Sequence, residues 1–183
     1  MKLAIIVAWL VAEALRMPAS VDPAETAEDR RARVEMIARS AAVASLEHAD
    51  GSGWRWRELA AAVLVKQHAE SRFALDVHSG ARLGDRGKAA CLGQLHQSRF
   101  LPASEWRALV GTDEDATLRC AQATARMLVA HARHCQVWRG LRANWEIVAI
   151  TFASYGTGGQ CDPLDSSRER AFVWARVVMR GPR

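Results

Sequence analysis

Between residues 74 and 96 the chain loses the three-and-four spacing of apolar residues that organises the rest of it. Gly80, Gly84, Gly87 and Gly93 punctuate this stretch, with Asp and Arg between them. The pattern on both sides is helical. A chain of 183 residues, half of them hydrophobic, can bury one sizeable core and is too short for two well-cored domains. The expected fold is therefore mostly α, a single domain over 21–183, with a glycine-rich loop or small hairpin inserted in its middle. Loops of that length in compact domains usually carry function.

The helices can be bounded from their end signals. Asp22-Pro23-Ala24-Glu25 reads as a helix opening, with Asp22 as cap, Pro23 at the first position and Glu25 in the capping-box position. That helix should run to about Glu47 and bury Val34, Ile37, Ala41 and Val43, until Asp50-Gly51-Ser52-Gly53 ends it. An alanine-rich second helix passes through Leu59, Val63 and Lys66 to Glu70 or Phe73. Helices resume at Ser104, after a Thr112 cap through to about His134, and at Asn144 through to Tyr155. Ser166 and Glu169 form a capping box for the last one.

Several function classes are excluded or left open by composition. No apolar run reaches the roughly 18 residues of a membrane span, so stable membrane insertion is not expected. The net charge of +5 suits an anionic polymer without choosing one. Arg168, Arg170, Arg176, Arg180 and Arg183 gather near the end with no recognition motif around them, so nucleic acid is not the expected partner. Trp54, Trp56, Trp106, Trp138, Trp145 and Trp174 mostly sit at helical spacing and read as core rather than as sugar platforms.

Residues 1–20 fit either a short export signal or an ordinary first helix. Lys2 precedes the apolar stretch Leu3 to Val11, and Ala12-Glu13-Ala14 matches a cleavage site. An ordinary helix would instead pack Ile5, Trp9 and Leu10 inward. Cys91, Cys120, Cys135 and Cys161 favour an oxidising compartment, and their spacing leaves three pairings open. His131-x-x-His134-Cys135 resembles a metal-ligand spacing, and reads more simply as polar residues near a helix end.

Glu70 is the candidate for chemistry. It stands in His68-Ala69-Glu70-Ser71-Arg72-Phe73, where a hydrophobic helix meets the glycine-rich segment. Partial burial of a carboxyl at such a junction is what a general acid working near neutral pH requires. Downstream come Gly84-Asp85-Arg86-Gly87, Cys91-Leu92-Gly93-Gln94-Leu95 and Phe152-Ala153-Ser154-Tyr155-Gly156-Thr157-Gly158. In this order and spacing, over residues 57 to 160, the chain resembles the lysozyme-like superfamily of lytic transglycosylases and goose-type lysozymes. Glu70-Ser71 matches that family's catalytic Glu-Ser, Leu92-Gly93-Gln94 its Gln motif, and Ala153-Ser154-Tyr155 its later Tyr motif. Gly84-Asp85-Arg86-Gly87 looks like a goose-type segment. The chain departs from the pattern at Cys91, at Gly156 and at His96, which stands where goose-type enzymes carry an Asp.

The resemblance implies a lysozyme-like fold that cleaves the β-1,4 bond of peptidoglycan glycan strands, with no bound cofactor. It makes Glu70 the general acid and Asp85 the better candidate for a second carboxylate. Ser71 would orient Glu70, while Gln94 and Tyr155 would hold sugar amides and hydroxyls. With Asp85 activating water the bond is hydrolysed; without a base, the muramic 6-hydroxyl attacks and leaves an anhydro sugar. His96 in place of a carboxylate tilts the expectation towards the anhydro route. An exported, periplasmic or extracellular monomer is expected. So are disulfides Cys91–Cys120 and Cys135–Cys161, each tying a helix to a glycine-rich segment.

Overall fold

The computed structural model describes residues 2–50, 52–98, 101–139, 145–157 and 159–182. Gly51, Asn144, Gly158 and Arg183, named above, lie outside them, as do the side chains of Lys2, Trp138 and Trp145. The described chain is mostly α. Its helices are α1 (Lys2–Arg16), α2 (Ala27–His48), α3 (Trp56–Ser71), α4 (Leu75–Ser79), α5 (Ala103–Arg107), α6 (Glu114–Arg139), α7 (Trp145–Thr157) and α8 (Asp165–Met179). Between α4 and α5 lie a 3₁₀ turn at Asp85–Gly87 and an antiparallel hairpin of β1 (Ala89–Ala90) and β2 (Leu95–His96). The glycine-rich insertion is thus a short helix, a tight turn and a small hairpin.

α3 occupies the centre. Every residue from Leu59 to Gln67 is buried, so it is covered all round, as its alanine-rich, polarity-poor sequence requires. Helices α1, α2, α6 and α8 pack around it, and α7 bridges α6 and α8. The segment with signal-like features forms α1 and contributes Ile6, Trp9, Leu10 and Ala14 to the core, while Ile5 faces solvent. Its Glu13, almost wholly buried, is held by Arg16 and by Arg180 from just beyond α8. Among the described residues no helix is long and apolar enough to cross a membrane.

Three helix starts differ from the sequence reading. Asp22 does not cap a helix; its carboxylate accepts from Ala24 N at 2.9 Å and closes a turn, and Thr26 caps α2 instead. Glu25 is drawn away from the capping-box role by a buried ion pair, Arg33 Nε donating to it at 2.6 Å. Asp113, not Thr112, caps α6 by accepting from Ala116 N at 2.8 Å. Ser166 lies inside α8, whose first turn follows Leu164 and has no side-chain cap. In α2, Val43 is only half-buried, and Ala38 and Ala42 complete the packed face.

Both expected disulfides form, Cys91–Cys120 with Cα atoms 6.1 Å apart and Cys135–Cys161 at 5.6 Å. The first pins the hairpin turn onto α6, and the second ties the end of α6 to the segment before α8.

Candidate active site

α3 ends where the sequence places its end, and Ser71 is the residue that ends it. Ser71 Oγ donates to Gln67 O at 2.6 Å and accepts from Phe73 N at 3.1 Å, while Arg72 turns left-handed at φ 50°. The serine is buried and its hydroxyl is spent on backbone, so the expectation that it orients the Glu70 carboxyl is corrected. That orientation comes from two cations. Lys66, one turn earlier on α3, donates from Nζ to Glu70 Oε1, and Arg170 from α8 donates to the same oxygen at 2.9 Å. Both bonds fall on the same oxygen, Oε1. Glu70 keeps about a quarter of its side chain exposed, at 23%.

Lys66 is itself unusual. No part of it reaches solvent, and its ammonium lies 4.0 Å from the centre of the Tyr155 ring. Burial pushes its pKa down to about 8, and the Glu70 carboxylate works in the opposite direction. The ring's negative face and the carboxylate together replace the water the ammonium has lost.

The hairpin is set against these residues by close contacts at two glycines. A Cβ on Gly93 would come within 2.4 Å of Thr124 Oγ1 on α6, and one on Gly84 within 1.6 Å of Gln94 Oε1. Tyr155 Oη donates to Gly93 O at 2.9 Å. The Tyr155 hydroxyl therefore holds the hairpin turn, and burial pushes its pKa up. Gln94, itself left-handed at φ 50°, donates from Nε2 to Cys91 O at 3.0 Å, inside the turn that the Cys91–Cys120 disulfide anchors. Trp106 Nε1 fixes β2 by donating to Leu95 O at 2.6 Å.

On the outer edge of the insertion, Asp85 Oδ2 lies 2.7 Å from His96 Nε2. Ala89 pairs with both Gly84 and His96, and this register sets the two side chains side by side. Glu70, Asp85, Gln94, His96 and Tyr155 then line one cleft of about 900 Å³, with Lys66 at its base and His131 on its α6 wall. Among the described residues no tryptophan lines it, and Trp106 and Trp174 are buried in the core.

Four of the five expected site residues thus share a cleft; Ser71 does not. Lys66, Arg170 and His96 were not assigned roles there. Lys66 had a local signal, since a lysine inside an otherwise buried alanine-rich run needs a partner and Glu70 stands at i+4. Arg170 is a hundred residues away and carried none. The metal-like spacing at His131, His134 and Cys135 is accounted for otherwise: Cys135 is in a disulfide and His131 Nδ1 is 2.8 Å from Ser154 Oγ. No family model matches the chain, and neither a curated protein nor a solved structure matches it.

Proposed function

We propose that this protein is a lysozyme-like glycosidase that cleaves the β-1,4 bond between N-acetylmuramic acid and N-acetylglucosamine in peptidoglycan, with Glu70 as the general acid. The observation that carries this reading is the convergence of Glu70, Gln94 and Tyr155, distant in sequence and central to the resemblance, on one cleft. Oε2 of Glu70 gives its proton to the leaving oxygen as the bond to the muramic C1 breaks. Lys66 and Arg170, fixed on Oε1, stabilise the carboxylate that this transfer leaves behind. Two disulfides among the described residues support a setting in an oxidising, exported compartment. Digestion of purified peptidoglycan followed by mass analysis tests the reading: soluble fragments ending in muramic acid are expected.

The same two cations favour a second reading, a glycan-binding module of the same fold that does not cut. A carboxylate bridging α3 and α8 through Lys66 and Arg170 is also a structural ion-pair network. Sedimentation of the protein with peptidoglycan, and no release of fragments, is the outcome that selects it.

A further inference from the structure

We propose that His96 is the base that takes a proton from the attacking water, with Asp85 orienting its ring, so that the cleft hydrolyses the glycan. This rests on the glycan-cleaving reading above.

The geometry is that of a base and its orienter. Asp85 Oδ2 is 2.7 Å from His96 Nε2, and both side chains line the cleft that Glu70 lines. A carboxylate bonded to one ring nitrogen fixes the tautomer and stabilises the imidazolium that forms when the other takes a proton. With Nε2 engaged by Asp85, Nδ1 is the nitrogen left to take the proton.

The backbone under the pair is strained for it. Asp85 and Arg86 are left-handed at φ 46° and 57°, consecutive non-glycine residues flanked by Gly84 and Gly87. Asp85 and His96 are 68% and 52% exposed, and a hydrogen-bonded pair that open to water adds next to nothing to stability. It does not repay two left-handed residues in succession, and strain of this kind collects at functional sites.

The step balances with one water. Glu70 Oε2 gives its proton to the leaving oxygen, which keeps the electron pair of the broken bond to C1. The water oxygen bonds to C1 and its proton passes to His96 Nδ1. The imidazolium then releases that proton to solvent, and Glu70 regains one.

The test is digestion of peptidoglycan in heavy-oxygen water by the wild type, His96→Gln and Asp85→Asn, with folding checked by circular dichroism. The wild type should yield muramic reducing ends carrying one heavy oxygen. His96→Gln should lower the rate of those ends by about a hundredfold or more. Asp85→Asn should lower kcat less, with KM unchanged. Wild-type products that are all anhydro ends, or water-added ends formed by His96→Gln at the wild-type rate, would overturn the proposal and leave the cleavage reading standing. A wild type that releases no fragments overturns both.

Discussion

Lys66 and Glu70 form an ion pair within one turn of α3 in which the lysine has no exposure to solvent while the glutamate side chain keeps 23% of its surface exposed. A helix normally places such an i, i+4 pair on its solvated face. Here the pair extends from a helix whose residues Leu59 to Gln67 are all buried, and the Tyr155 ring closes over the cation.

Replacing Lys66 with methionine separates its structural and chemical contributions. Met is unbranched and one atom shorter, and it removes the cost of burying an ammonium, while Arg170 still neutralises Glu70. Thermal and denaturant unfolding should show a stability change within about 1.5 kcal/mol. Glycan cleavage should slow by about tenfold or more, because Glu70 Oε1 loses one of its two anchors.

Gly84→Ala probes Gln94 without touching it. Gly84 has an ordinary backbone at φ −75°, so the added methyl group conflicts chiefly with the Gln94 amide, 1.6 Å from its position. The amide should swing away at little cost in stability, and KM for the glycan should rise. Combined with Gln94→Ala the effects should be strongly non-additive, which a double-mutant cycle measures.

The Cys91–Cys120 bond spans 29 residues and holds the turn that carries Gln94. Replacing both cysteines with alanine should cost about 3–4 kcal/mol of unfolding free energy from the freed chain alone. Urea unfolding checks it, and an unchanged midpoint would contradict the anchoring role.

His78 gives the fold an acid-sensitive point. It is buried, bonded to Thr117 Oγ1 at 2.8 Å, and burial lowers its pKa from 6.5 to about 4, with the Arg33 charge adding to the effect. The unfolded chain therefore takes up this proton first. Stability should be unaffected by His78 above pH 6.5 and fall as the pH drops towards 4, by up to about 3 kcal/mol. His78→Gln should show a smaller loss over the same window in unfolding measured at stepped pH.

What could be read from the sequence was local or periodic. The helical class and the hairpin within 74–96 follow from spacing and glycine placement, the end of α3 falls within the expected 70–73, and the two disulfides are one of the three pairings that the cysteine spacing leaves open. The helix caps were misread where two short polar residues competed, as at Thr112 and Asp113, because a one-residue choice turns on backbone angles. Arg170 reaches Glu70 only through the packing of α8 on α3, which no local pattern encodes. Asp85 and His96 looked like a lone carboxylate and a replaced one. Their pairing depends on the Ala89–His96 register, which a two-residue strand does not announce.

The central claim is that Glu70 supplies the proton for glycan cleavage, and Glu70→Gln tests it most directly. The amide nearly matches the carboxyl in shape and cannot donate that proton. Release of soluble fragments from purified peptidoglycan should be measured for the wild type and the variant side by side, with sedimentation on the same material as the binding control. The account predicts that the wild type releases fragments while Glu70→Gln binds the glycan and releases none. Fragment release by Glu70→Gln at the wild-type rate would contradict it.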